Sequence, residues 1–113
     1  MVMGSFAPNG SSAVSASSRK GLGWSVARTS AGVFTLTFSD KFADMVSAVA
    51  TLQLATADDK VVNVGTYTAA SKTLVLNVWD VSGAALTDVA ADANNRINFA
   101  VFFRNSSTGP TRG

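Results

Sequence analysis

From Gly23 onward apolar and polar positions alternate with a period of two, the repeat of a strand whose side chains point to opposite faces. In "GWSVART" Trp24 and Val26 share a face, and in "GVFTLTFS" Phe34, Leu36 and Phe38 oppose Val33, Thr35 and Thr37. The "SAG" between them contains Gly32, which is free to take a positive φ, so the two runs predict a hairpin. "MVSAVATLQLAT" fits two periods. Val46, Ala48, Ala50, Leu52 and Leu54 alternate as in a strand, whereas Phe42, Met45, Val46, Val49 and Leu52 recur at three and four as in a helix. Strand is preferred, because "ATADDK" ends the run like a hairpin tip and "VVNVGTY" resumes it with β-branched residues. "TAAS" then turns into "KTLVLNVW", with Leu74, Leu76 and Val78 opposite Thr73, Val75, Asn77 and Trp79. A long loop over 80–94 leads to a last strand from Arg96 to Asn105.

That last strand breaks the pattern. Ile97, Phe99, Val101 and Phe103 fill one face, but the other carries Ala100 and Phe102 with only Asn98 and Arg104 to wet it. Either the protein's own N-terminal segment or the 80–94 loop covers this second face, or the same strand of another copy does. The second explanation is preferred, since a buried Phe gains about 1.5–3 kcal/mol and an oligomer counts it once per subunit. Arg96 and Arg104 bracket the run. They mark where the strand meets water, or they form the rim of a subunit contact, where Arg is enriched and binds carboxylates in a bidentate manner.

Residues 1–22, "MVMGSFAPNGSSAVSASSRKGL", hold six Ser, three Gly and one Pro, with apolar residues too sparse for either period. They predict an extended, flexible N-terminal arm, or one that orders against a neighbouring subunit with Val2, Met3 and Phe6 as its anchors. Pro8 and Pro110 are the only prolines and fall in the two tails, so every central segment can donate ladder hydrogen bonds. The expectation is all-β: a small antiparallel β-sandwich or barrel, jelly-roll-like, over residues 23–107, with the arm over 1–22 and a flexible tail over 108–113.

Composition narrows the chemistry. The chain has no Cys and no His, which removes disulfides, thiol nucleophiles, cysteine-bound zinc and the usual imidazole base. Any serine nucleophile would need a lysine or carboxylate base in an unsupported arrangement, so no enzyme and no cofactor are expected. Asp58 and Asp59 are adjacent in a hairpin tip and would point apart, as solvated turn residues do. "DVSG" at Asp80 and "DAN" at Asp92 lack the alternating oxygens of a calcium cage and read as Asx turns, with Gly83 absorbing an unusual φ. Trp24, Tyr67 and Trp79 could form a sugar-stacking platform, though core packing is the commoner fate of strand aromatics. The net charge of +2 comes from nine scattered Lys and Arg against seven Asp, so no basic stripe points to nucleic acid. Charged residues make up 14% of the chain, against about 25% in ordinary domains, which suits an assembled surface. With neither a basic n-region followed by an apolar run near the start nor 18 apolar residues in a row, synthesis in the cytoplasm and no membrane anchor are expected.

"GWSVARTSAGVFTLTFSDKF", followed by "KTLVLNVWDVSGAALTDVAADANNRINFAVFFRNSS", resembles the small capsid decoration (cement) and head-fibre-type proteins of tailed bacteriophages. The resemblance spans residues 23–107 and rests on a Gly-aromatic strand pair, a "D-x-SGAA-x-x-D-x-A" loop and a closing strand ending in "RN". It implies a β domain bound to the outside of the icosahedral head as a homo-oligomer, a trimer before a dimer. Its partner would be the major capsid protein, whose neighbouring copies it clamps after the shell expands. A tail-fibre or receptor-binding module that contacts a host glycan is the alternative.

Overall fold

Alternation decides which side of each strand turns inward, and the computed structural model, which describes residues 1–39 and 44–104, follows it almost throughout. The strands are β1 (Val2–Phe6), β2 (Trp24–Ser30), β3 (Val33–Phe38), β4 (Asp44–Gln53), β5 (Lys60–Thr68), β6 (Thr73–Asp80), β7 (Ala85–Leu86) and β8 (Arg96–Arg104). They form two antiparallel sheets, one ordered β1-β8-β4 and one ordered β2-β3-β6-β5, with β7 also paired to β6. The predicted hairpin is β2–β3, and Gly32 has φ 69° at its turn. Segment 45–56 is strand through Gln53, as preferred over helix.

The core lies between the sheets. Phe34, Leu36 and Phe38 on β3 and Leu74, Leu76 and Val78 on β6 meet Ile97, Phe99 and Val101 on β8, all of them buried. Trp24 stands edge-on to Phe99 at 4.7 Å between ring centres, Phe6 lies 5.3 Å from Phe34, and Phe38 meets Phe103 at 5.0 Å.

Three expectations are corrected. Residues 2–6 are a strand of the smaller sheet, where β1 pairs with β8 from Val2↔Val101 to Phe6↔Ile97. Val2 and Phe6 therefore belong to the core, not to an arm. Their alternation is hidden in the sequence because Gly4 stands between them. A Cβ there would meet the Phe99 ring and the Trp24 indole at about 2.5 Å, so only a residue without a side chain fits. The segment after β1 is also tied down: Ser5 and Lys20 exchange backbone hydrogen bonds, Gly10 N–H donates to Val89 C=O, and Pro8 is fully buried. Second, Val46 does not share the inward face of β4. Met45 opposes Phe103 and Ser47 opposes Phe102, so Val46 is the extra residue of a β-bulge and stands 63% exposed. Third, the positive φ after Asp80 falls at Ala84 (51°) and not at Gly83. The side chain of Arg104 and the tail over 108–113 lie outside the described residues.

Phe99→Ala should cost about 3–5 kcal/mol in urea unfolding, more than Phe103→Ala, whose ring is only partly buried. Gly4→Val should cost about 1–3 kcal/mol by overpacking. Near-wild-type stability of either Phe99→Ala or Gly4→Val would contradict this packing.

Candidate assembly surface

The pairing that buries Val2, Phe99 and Ala50 inside turns their neighbours outward. Across the outer face of the three-stranded sheet, Met3, Ala100 and Val49 lie in one row, with Ser47 beside Phe102 and with Ser5, Asn98 and Thr51 in the next row. Met3 is 58% exposed, Val49 59% and Phe102 42%. Neither the N-terminal segment nor the 80–94 loop covers them. The former lies beside β8 within the sheet, and the latter sends Val89 into the core. Two shallow, mostly apolar grooves flank β8 on this face, one of about 400 Å³ along Met3, Ser5, Lys20 and Asn98, the other of about 220 Å³ along Val49, Thr51 and Ala100.

Of the candidate interface residues, Met3, Ala100 and Phe102 are thus brought together on an open face, while Val2 and Phe6 are withdrawn into the core. Arg96 closes one end of the face from within the chain: its Nε donates to Ser5 Oγ at 2.7 Å, and a terminal guanidinium nitrogen donates to Ser18 C=O. Arg104 is the last residue of β8, opposite Asp44. Sequence reasoning missed Val49 and the bulged Val46. Val49 is visible as the apolar member of the polar alternation Ser47, Val49, Thr51, Gln53, but only the register shows that it completes a row with Ala100 and Met3.

The remaining candidate chemistry resolves into turns and packing. Asp80 Oδ1 accepts from Ser82 Oγ and Gly83 N–H, and Asp92 Oδ1 accepts from Asn94 N–H at 2.8 Å, both as Asx-type turns. Asp59 accepts from Ser82 N–H, and Asp58 pairs with Lys60. The hydrogen bond from Lys60, with help from the Asp59 N–H, lowers the Asp58 carboxyl to about 2. Among the described residues no three His, Cys, Asp or Glu converge as a metal site would need. Nor do the three aromatics share a face. Trp24 is buried and Tyr67 packs near Phe103, while Trp79 alternates with buried Val78 and so points the other way. No helix among the described residues is long and apolar enough to cross a membrane.

One ion pair shapes the far end of the core. Arg28 donates from Nε and a terminal nitrogen to both oxygens of Asp88 at 2.9 and 2.8 Å, and Gly32 N–H adds a third bond to Asp88 Oδ1 at 3.0 Å. The pair holds the 80–94 loop against the β2–β3 turn, Thr87 N–H donates to Val78 C=O on β6, and Val89 is thereby positioned as a plug. The Arg28 bond, aided by the Gly32 N–H and opposed by burial, lowers the Asp88 carboxyl below its ordinary value.

Comparison of the chain with protein-family models, with curated proteins and with solved structures finds no match.

Because the Asp88 carboxyl is depressed in the folded state, its contribution to stability is complete above the unfolded carboxyl value of about 3.9 and is lost as pH falls through the folded one. Melting temperatures followed from pH 7 downward should drop on the acid side. Asp88→Asn should start lower at neutral pH and lose less in acid. An acid limb unchanged by Asp88→Asn would contradict the ion pair's role.

Proposed function

We propose that this chain is a structural virion protein that binds the outside of an expanded phage capsid as an oligomer and cements neighbouring major capsid proteins. The observation that supports it is the open apolar face of the three-stranded sheet, where Met3, Val49, Ala100 and Phe102 stand together with no part of the described chain across them. The capsid as partner rests on the resemblance of residues 23–107 to decoration proteins.

The size of the face suits that work. Strands of 5, 10 and 9 residues, rising about 3.4 Å per residue and spaced about 4.8 Å apart, present roughly 400 Å² per copy. A stable pairwise interface takes about 800 Å² from each side, so one such contact is weak. An oligomer that engages several shell sites together turns weak contacts into firm attachment, because each later contact forms at high effective concentration. Binding only the expanded lattice then stabilises that lattice by linkage. The resemblance favours a trimer, and a dimer satisfies the same requirement. The role is mechanical, without catalysis or cofactor and without a nucleic-acid or membrane partner. The protein's place is the capsid exterior, after synthesis in the host cytoplasm.

Expanded heads lacking the protein should bind it and then resist disruption to a higher temperature. Phe102→Ser should remain folded by circular dichroism yet bind more weakly, each contact losing about 1 kcal/mol of apolar burial. Failure of the wild-type protein to bind such heads, or equal binding by Phe102→Ser, would overturn the proposal.

A further inference from the structure

Asn9 is the one asparagine of the chain that is followed by glycine. The carboxamide carbon of an asparagine lies one ring closure from the next backbone nitrogen, and a glycine there has no side chain to hinder the approach. Asn–Gly is therefore especially prone to lose ammonia, and asparagine counts among the thermolabile residues. Here the dipeptide is within reach of water. A Cβ at Gly10 would meet nothing within 4 Å, and half-buried Asn9 lines a shallow groove of about 210 Å³ that Asp92 also lines.

In the folded chain each reacting group is held. Gly10 N–H donates to Val89 C=O at 2.9 Å, Asn9 Nδ2 donates to Ala13 C=O at 3.2 Å, and Asn9 C=O accepts from Ser12 N–H at 3.0 Å. Gly10 has φ 59° in the tight turn that the last of these bonds closes. Ring closure must swing the Gly10 nitrogen from Val89 toward Cγ of Asn9 and free Nδ2 as the leaving group, so it breaks the first two bonds. The bond to Val89 ties the dipeptide to the 80–94 loop. Val89 is buried, and its neighbour Asp88 is gripped by Arg28 and by Gly32 N–H. The loop that plugs the core therefore also fixes the nucleophile.

We propose that Asn9 is a site of spontaneous covalent modification whose rate is set by local opening of the 80–94 loop. With the loop open, the Gly10 nitrogen gives its proton to solvent hydroxide and attacks Cγ of Asn9. The N–Cγ bond forms, the Cγ–Nδ2 bond breaks, and ammonia leaves with a proton taken from water. Water then opens the cyclic imide: addition at Cγ leaves an aspartyl residue, and addition at the Asn9 backbone carbonyl leaves an isoaspartyl one, whose main chain is longer by one carbon. Either product lowers the net charge of +2 by one and puts a carboxylate in the groove that Asp92 lines, where like charges repel. The isoaspartyl product also displaces the Gly10 nitrogen from Val89. Modification thus weakens the contact that restrained it, and the end of the core loosens as the protein ages. This chemistry belongs to the chain itself and stands whether or not a capsid is the partner.

The test ages the full chain in mildly alkaline buffer and reads position 9 by peptide mass spectrometry, with isoaspartyl methyltransferase labelling to distinguish the two products. Wild-type protein should gain the acidic forms slowly when folded and about tenfold or more faster when unfolded in urea. Asn9→Gln, whose longer side chain closes its ring reluctantly, should gain none at this position. Asp88→Ala, shown to be folded by circular dichroism, should react about fivefold or more faster than wild type, and Arg28→Gln offers the same comparison from the other half of the pair. Phe103→Ala weakens the core at the other end of β3, beside Phe38, and should stay within about twofold of wild type. Absence of modification at position 9 in the unfolded chain would overturn the proposal. So would equal rates in folded and unfolded protein, no acceleration in the Asp88 and Arg28 variants, or equal acceleration in Phe103→Ala, which would point to global unfolding.

Discussion

The indole of Trp24 lies where a side chain at position 4 would be, and most of the structure depends on that substitution of one residue's ring for another's missing Cβ. Gly4 lets β1 lie flat against β8 while Trp24, from the opposite sheet, reaches Phe99 edge-on at 4.7 Å. Phe6 then sits 5.3 Å from Phe34 and 6.1 Å from Trp24, so four aromatic rings from β1, β2, β3 and β8 hold the two sheets together. Tilted and edge-on ring pairs of this kind add about 0.5–1.5 kcal/mol each beyond the area they bury. Without β1 the smaller sheet would have two strands, and Ile97, Phe99 and Val101 would lose their partner on one side.

The same arrangement explains why the outer face is apolar and open. A sheet of three strands has only one central strand, and β8 holds that place with Phe99 turned inward and Phe102 outward. Cross-strand register aligns Met3 and Val49 with Ala100, so three separate strands contribute to one patch. The chain's other described segments lie elsewhere. Its first twenty residues complete the sheet and cap its β1 edge, and its longest loop closes the end of the core through Asp88 and Val89. The apolar surface that the described residues leave uncovered is therefore a product of topology, and it is this surface that an assembly would cover.

Elements whose alternation is uninterrupted and bounded by turns, such as β2, β3 and β6, were legible in the sequence, because period two alone assigns their faces. β1 was not, since Gly4 falls at the inward position between Val2 and Phe6 and leaves a run that looks like linker. Pro8 and Val89 are single apolar residues among polar and small ones, and only the closing of the sandwich ends makes them core. On the outer face, Ala100 and Phe102 stood out by breaking alternation within one strand. Val49 breaks it too, but its strand also fitted a helix, and a patch built across three strands has no signature along any one of them. The bulge that sends Val46 outward has no local signal at all: it is set by how Met45 and Ser47 meet Phe103 and Phe102.

The central claim is that the outer face of the three-stranded sheet is the surface lost to solvent on assembly, and oxidative footprinting tests it residue by residue. Free protein and head-bound protein would be exposed to hydroxyl radicals, and modification would be read at Met3 and Phe102 on this face and at Trp79 and Leu86, which pair on the other sheet. The account predicts that binding protects Met3 and Phe102 and leaves Trp79 and Leu86 as reactive as before. Protection of Trp79 and Leu86 with Met3 and Phe102 still fully modified would contradict it.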